Sequence, residues 1–261
     1  MRNLVERRSL LEQLVRRDFK QRFVGSAVGW IWGLIHPLVL LVCWWFVFVK
    51  VLHLRPEGAV TDNYPLLLFA GMLPWLLFSE TVQRSATVML DQSNLITKTV
   101  FPSEILPVSV FLSSVVSHLL AVALMVAAAG VVLNQISIFL VLLPVYIFVL
   151  GLFAVGVGWI VASLHVFQRD TAQVMSVILQ FWFWITPIFF TEVKYPPKAR
   201  ILLTLNPMNY LVRGYRQMLL ASTWGWTDLR DLAVAAGFGV ALFVIGGLFF
   251  RYMKRGFADV L

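Results

Sequence analysis

The chain has 261 residues, of which 60% are hydrophobic and only 13% are charged, and its formal net charge is +8. A soluble domain has about 45–50% apolar and about 25% charged residues, so much of this apolar surface must face lipid, which excludes a soluble enzyme. In a membrane protein the positive charge reflects Lys and Arg on cytoplasmic segments and does not indicate nucleic-acid binding. The single cysteine, Cys43, cannot form an internal disulfide.

The first 33 residues form a basic cytoplasmic segment in which apolar residues recur every fourth position. These are Leu11, Val15, Phe19 and Phe23. The spacing predicts an amphipathic helix that lies along the membrane surface, where Asp18 and Arg22 sit one turn apart and can pair. Glycines follow at 25, 29 and 33. They either let another helix approach closely or ease the turn into the first membrane span.

Six apolar runs are long enough to cross a bilayer, which takes about 20 residues per helix. They are Leu34–Val51, Tyr64–Gln83, Ile105–Leu133, Ile138–Phe167, Ala172–Phe190 and Leu232–Phe250. Lipid offers no partners for backbone groups, so helices are expected. We predict an all-α polytopic protein with a single domain over residues 1–261, six spans within 34–251 and a tail at 252–261.

Basic residues predict the orientation of these spans. They are concentrated before the first run, in the second-to-third and fourth-to-fifth loops, and in the tail. The excess of Lys and Arg on one side predicts that both termini are cytoplasmic. The long opposite segment, Thr191–Asp228, is too apolar for an ordinary loop and contains Pro196-Pro197 and Asn206-Pro207. Short re-entrant helices that dip back toward the membrane fit it better.

The predicted cytoplasmic loop Asp91–Glu104 carries apolar residues among polar ones, at Leu95, Ile96, Val100 and Phe101. Such side chains either dock into a groove on a soluble partner or dip into the membrane interface. The sequence leaves both interpretations open.

Several kinds of chemistry are missing from the sequence. No glycine is followed by lysine, so there is no Walker A phosphate loop, and the four histidines lack the spacing of a metal site. Glu80 is the only acid well inside a span, where a carboxylate is a functional candidate, but it can pair with Arg84 one turn away, and we favour this structural interpretation. These gaps count against a lipid-modifying enzyme and against an ion-driven transporter or channel.

Four tryptophans fall some way into their predicted spans: Trp44, Trp45, Trp182 and Trp184. Most membrane tryptophans anchor a helix at the interface. Flat aromatic faces also pack well against sugar rings, so these residues are candidates for lining a channel through which a sugar polymer slides.

Several short motifs occur in a specific order along nearly the whole chain. They are Arg17-Asp18-Phe19-Lys20, Asn94-Leu95-Ile96 with Lys98, Phe101-Pro102, Thr186-Pro187-Ile188, and Leu205-Asn206-Pro207-Met208 with Arg213 and Arg216. In these motifs the chain resembles the permease subunit of ATP-binding-cassette (ABC) exporters for polysaccharides, the O-antigen, capsule and teichoic-acid group. It departs from that pattern at Phe23, His36 and Thr186, where Tyr, Asn and Ser are common.

The resemblance implies a homodimer in the bacterial inner membrane. Its channel would move a lipid-diphosphate-linked polysaccharide from cytoplasm to periplasm, with ATP and Mg bound by two separate nucleotide-binding subunits and no cofactor in this chain. A permease of the same fold that exports a drug or small hydrophobic molecule is the alternative.

The resemblance also implies roles for three groups of residues. The segment that couples to the ATPase would contain Asn94, Leu95, Ile96, Lys98, Phe101 and Pro102. The periplasmic gate would contain Asn206, Pro207, Arg213 and Arg216. At the cytoplasmic entrance, Arg16, Arg17, Lys20 and Arg22 would attract the diphosphate, although cations there also contact ordinary anionic lipid.

Overall fold

The structure is a computed structural model, and it describes residues 8–21, 29–53, 60–98, 101–192, 195–198, 200–221 and 223–257. Every regular element among these residues is a helix, which confirms the all-α prediction. The ten α-helices of the described part are α1 Arg8–Gln21, α2 Trp32–Trp45, α3 Tyr64–Asp91, α4 Ser93–Lys98, α5 Ile105–Leu133, α6 Leu143–Phe167, α7 Thr171–Ile185, α8 Arg200–Leu205, α9 Pro207–Leu220 and α10 Trp226–Met253. A π-helix, Phe46–Val51, extends α2, and the 3₁₀ helices Gly29–Ile31, Ile138–Leu142 and Lys254–Gly256 flank α2, α6 and α10.

Four of the helices are long and apolar enough to cross a membrane: Tyr64–Asp91, Ile105–Leu133, Ile138–Phe167 and Trp226–Gly256. These correspond to the predicted second, third, fourth and sixth spans. The predicted first and fifth spans coincide with shorter apolar helices, Pro37–Val51 and Thr171–Ile185. A 15-residue helix is only about 22 Å long at 1.5 Å per residue, which is less than the thickness of the hydrocarbon core.

Helices α3 and α9 begin with the same local sequence signal, an asparagine followed shortly by a proline. Asn63 Oδ1 accepts a hydrogen bond of 3.2 Å from the backbone N–H of Leu66, and Asn206 Oδ1 accepts one of 3.1 Å from Met208. The side-chain oxygen of the asparagine accepts a hydrogen bond from a backbone N–H group in the first turn of the helix. Proline is tolerated there because the N–H group that it lacks would have no partner within the helix.

Helix α3 is the centre of the bundle and is buried along most of its length. It packs against α5, α6 and α9, and α6 packs in turn against α10. The contact between α6 and α10 is backbone against backbone at Gly156 and Gly246. A Cβ atom on Gly156 would lie 2.5 Å from the carbonyl group of Leu242. Small residues at this crossing allow the two helix axes to come close together.

The bundle has two ends, which we name after their short helices. At the α4 end lie α1, the last turns of α3 and the end of α10, because Asp18 contacts Arg84 and Glu104 contacts Lys254. At the opposite, α9 end, the hydroxyl of Tyr64 at the start of α3 donates a 2.8 Å hydrogen bond to the carbonyl of Phe189.

Candidate functional site

The cations predicted to line the cytoplasmic entrance lie on α1 at the α4 end. Arg16, Arg17 and Lys20 are exposed, and Arg22 lies outside the described residues. Arg17 donates a 2.6 Å hydrogen bond from Nη2 to Oε1 of Gln92, the residue between α3 and α4. The structure therefore brings Arg17 beside the segment predicted to contact the ATPase.

A charged contact holds α1 against α3. Arg84 Nη2 lies 2.5 Å from Oδ1 of Asp18, whereas Arg84 Nη1 is 3.9 Å from Oε1 of Glu80. The sequence predicted the Glu80–Arg84 pair, which is present but is the longer of the two contacts. The hydroxyl of Ser114 on α5 donates to Glu80 at 3.2 Å. Glu80 thus belongs to polar contacts between helices, which favours the structural interpretation of this carboxylate.

The segment predicted to couple to the ATPase forms α4 and the turn that precedes α5. Asn94 is exposed, Leu95, Ile96 and Phe101 are half-buried, and Pro102 is buried. The side chain of Lys98 lies outside the described part of the structure. Ile96 and Phe101 pack against the main apolar core, so these two side chains also stabilise the fold.

The end of this segment is fixed to two other helices through Glu104. Its carboxylate Oε2 accepts a 2.6 Å hydrogen bond from Lys254 Nζ at the end of α10, and its backbone carbonyl accepts one of 3.0 Å from the indole Nε1 of Trp159 on α6. The turn before α5 is therefore joined by hydrogen bonds to both α6 and α10. Sequence reasoning missed this contact, because 150 positions separate the two charged residues.

At the α9 end, Arg216 is buried and its guanidinium donates to three backbone carbonyls. Nε donates to Leu67 at 3.2 Å, Nη1 to Pro187 at 2.9 Å and Nη2 to Ile188 at 2.5 Å. It therefore connects α9 to the start of α3 and to the residues that follow α7. The resemblance implies a gate role for Arg216, and the structure shows its side chain as a link between helices at the α9 end.

Arg213, one turn before Arg216, is half-exposed and forms two ion pairs. Nη1 lies 3.3 Å from Glu192 Oε1, and Nη2 lies 2.9 Å from Asp231 Oδ2 on α10. Asp231 is itself buried. Arg213 thus joins α9 to the segment after α7 and to α10, so the two predicted gate arginines bind different neighbours.

Asn206 and Pro207 lie at the beginning of α9, and Asn206 contacts the end of α7. The indole Nε1 of Trp182 donates a 2.9 Å hydrogen bond to Asn206 Oδ1, and Asn206 Nδ2 donates one of 3.1 Å to the hydroxyl of Thr186. Two motifs that the sequence placed about twenty positions apart therefore meet in one hydrogen-bonded group.

Three of the four predicted channel aromatics take part in one aromatic cluster. Trp44 contacts Trp184 with ring centroids 5.5 Å apart, and Phe183 contacts Trp44. Trp182 lies 6.2 Å from Trp75 on α3. The fourth, Trp45, makes a cation–π contact with Lys50, whose Nζ lies 5.5 Å from the centroid of the ring. Trp184 is exposed while Trp44 and Trp182 are half-buried. The cluster therefore joins α2, α3 and α7 and has one partly exposed indole at its edge.

A buried polar pair between α5 and α9 was not anticipated. The ring nitrogen Nε2 of His118 lies 3.0 Å from the hydroxyl of Tyr215, and both side chains are buried. The contact gives the tyrosine hydroxyl and one imidazole nitrogen a hydrogen-bond partner inside the bundle. Within the described ranges, no group of three or more His, Cys, Asp or Glu side chains is placed to hold a metal ion.

The motifs that the structure brings together at its two ends belong to a known family of membrane proteins. A family model described as "ABC-2 type transporter" matches residues 9–220. The chain belongs to the ABC-2 type transporter family. ABC-2 permeases are embedded in the membrane and work with an ABC ATPase subunit, so this multi-pass chain is a transporter subunit and not an enzyme.

Individual ABC-2 relatives match over most of their length. An O-antigen export system permease protein, RfbA, from Myxococcus xanthus is 28% identical over 99% of this chain and 98% of its own length. A protein of the same name from Klebsiella pneumoniae is 25% identical over 97% of this chain and 95% of its own. The polysialic acid transport protein KpsM from Escherichia coli is 22% identical over 80% of this chain and 81% of its own length.

Proposed function

We propose that this chain is the channel-forming subunit of an ATP-driven exporter, and that it moves a lipid-diphosphate-linked polysaccharide, similar to O-antigen, from the cytoplasm to the periplasm. The observation that carries the proposal is the nearly end-to-end match to permeases named for O-antigen export. The more distant relative is named for polysialic acid transport. The names shared by these relatives favour a polysaccharide over a drug, and membership of the ABC-2 family counts against an ion-coupled transporter.

The test of this proposal is a deletion of the gene in its own host. Loss of surface polysaccharide, with lipid-linked polymer retained on the cytoplasmic face, is the expected result, and the wild-type gene on a plasmid restores export. Polymer is followed by gel electrophoresis and by labelling of intact cells. Unchanged surface polymer in the deletion strain, or transport by reconstituted vesicles that contain this chain without an ATPase, contradicts the proposal.

The proposal includes six spans in the bacterial inner membrane with both termini cytoplasmic. The course of α7 supports it: α7 begins after α6 at the α4 end, and Thr186 just beyond it contacts Asn206 at the α9 end. In a variant with Cys43 replaced by alanine, a single cysteine is introduced either at Gln168 or at Gln135, which are both exposed. A maleimide that cannot cross membranes should label position 135 in intact spheroplasts and position 168 only after lysis. The reverse pattern contradicts the orientation.

Two copies of the chain and two ATPase subunits make up the proposed assembly. The resemblance to dimeric export permeases carries the second copy, and helix α7 offers an apolar surface that a second copy or lipid would cover, because few of its side chains are buried and a row of large apolar ones is exposed. The row comprises Val174, Val177, Ile178, Phe181 and Trp184. The mass of the purified complex, measured by native mass spectrometry, should correspond to two copies of each subunit. A single copy of this chain per complex contradicts the dimer.

Coupling to the ATPase is assigned to α4. We expect Leu95→Asp to abolish co-purification of the ATPase, because a carboxylate cannot enter an apolar groove on the partner without losing its hydration. We choose Leu95 for this test because Ile96 and Phe101 also pack on the core, so that their substitution would change the stability of the fold as well. The matched control is Gln168→Asp, which places the same charge on an exposed turn at the same end of the bundle. Normal co-purification of the Leu95 variant contradicts the assignment.

A further inference from the structure

The end of α10 packs onto α6 at the α4 end of the bundle. The 3₁₀ helix Lys254–Gly256 follows α10, and Phe257 after it is buried; we call these four residues the α10 turn. The ring of Phe257 contacts the rings of Phe167, at the end of α6, and Phe250, with centroids 6.0 Å and 5.5 Å apart. A Cβ atom on Gly256 would lie 3.2 Å from the ring of Phe167. The backbone of the α10 turn is therefore anchored on α6.

Lys254 extends from the α10 turn to the segment predicted to couple to the ATPase. Its Nζ donates a 2.6 Å hydrogen bond to Oε2 of Glu104. Both side chains are partly exposed, and an ion pair in that situation contributes little to stability. The pair therefore matters more for where it holds the segment than for how much it stabilises the fold.

A hydrogen-bonded turn joins Glu104 to the predicted coupling residues Phe101 and Pro102. The backbone N–H of Ser103 donates to the carbonyl of Phe101 at 2.9 Å, and that of Ile105 donates to the carbonyl of Pro102 at 3.0 Å. Each bond closes a turn and restricts the backbone dihedral angles within it. The position of Glu104 therefore determines where the end of the coupling segment lies.

A second contact orients the backbone of Glu104. The indole Nε1 of Trp159 on α6 donates a 3.0 Å hydrogen bond to its carbonyl. The backbone of this residue is thus held by α6 and its side chain by the α10 turn. Of the two contacts, the ion pair is the one that a substitution can remove at a partly exposed position.

We propose that Lys254 and Glu104 are positioning residues for coupling, whose ion pair holds the turn before α5, and with it the coupling segment, against α6 and α10. The proposal rests on the proposed function, because it takes α4 and the turn that follows to receive the movement of the ATPase. When the pair is broken, the ATPase still binds through α4, but the segment is held less firmly on the bundle. ATP is then hydrolysed with less export.

The test introduces Lys254→Met into the deletion strain described above and into the purified permease–ATPase complex. We expect the initial rate at which polymer appears on the surface to fall about threefold at equal permease level, which is the size of effect that a partly exposed ion pair can have. Co-purification of the ATPase, its rate of ATP hydrolysis and the thermal midpoint of the complex should stay close to those of the wild type. Lys254→Arg keeps a cationic donor and should export normally.

Glu104→Gln breaks the same ion pair from the other side and keeps the test decisive if the methionine variant does not fold. It should reduce export to the same extent. Combining it with Lys254→Met should add no further loss, because the two residues act through one contact.

The matched control is Arg255→Met, which removes the same charge from the next residue of the α10 turn, where the side chain is exposed. It should export as the wild type does. Unchanged export by the Lys254 and Glu104 variants, an equal loss with Arg255→Met, or additive losses in the double variant overturns the proposal. If the deletion strain itself still exports polymer, the proposed function fails instead, so the two failures are distinguishable.

Discussion

Replacing Arg216 with methionine tests whether this residue holds the α9 end together. The change removes the donor to the carbonyls of Leu67, Pro187 and Ile188. A buried acceptor left unsatisfied costs about 1–3 kcal/mol. The three losses are not additive, and removing a buried cation recovers part of its desolvation free energy, so we expect a net destabilisation of about 3–5 kcal/mol.

The assay is thermal unfolding of the purified complex in detergent, with all variants scanned at the same rate because membrane-protein unfolding is usually irreversible. At about 2–4 °C per kcal/mol for a chain of this size, Arg216→Met should lower the midpoint by about 10 °C. Arg213→Met is the matched control. Its guanidinium is half-exposed, but the substitution leaves the buried Asp231 unpaired, so we expect a loss of about 2 kcal/mol and a fall in the midpoint of about 6 °C. Equal shifts for the two variants would refute the assignment of Arg216 as the structural link.

Two further substitutions test contacts inside the bundle. Trp182→Phe removes the indole donor to Asn206 and should lower the free energy of unfolding by about 1 kcal/mol. Trp184→Phe changes an exposed ring and should lower the free energy of unfolding by less. A larger decrease for the Trp184 variant would contradict this expectation. Gly246→Leu inserts a side chain where the carbonyl of Gly156 already lies. It should prevent stable accumulation of the protein in the membrane, which an immunoblot measures. A normal protein level would contradict the close crossing of the two helices.

The long helices were predictable because their signal is local and strong. An apolar run of more than 20 residues has one stable solution in lipid, and the predicted third span, Ile105–Leu133, matches α5 at both ends. The short helices were harder, because Thr171–Ile185 is followed by apolar residues that do not continue the helix. Thr186, extended and followed by Pro187, ends α7 earlier than composition alone indicates.

The candidate site was predictable as a set of motifs but not as a set of contacts. The family resemblance implied that Asn206 and Arg213 are gate residues, and the structure brings both to the α9 end. Their partners, Trp182 and Asp231, were not paired with them, because a hydrogen bond between distant positions leaves no trace in a single sequence. The contact of Glu104 with Lys254 was missed for the same reason.

The crossing of α6 and α10 at Gly156 and Gly246 has a consequence for movement. Side chains that separate two helices can change rotamer and let the helices slide, but here main-chain atoms touch directly and have no alternative arrangement. We therefore expect the two helices to move as one rigid unit, which extends from Lys254, the partner of Glu104, at one end of the bundle to Asp231 at the other. Rearrangement within the subunit must occur around this unit, in the short helices α2 and α7 that pack less closely.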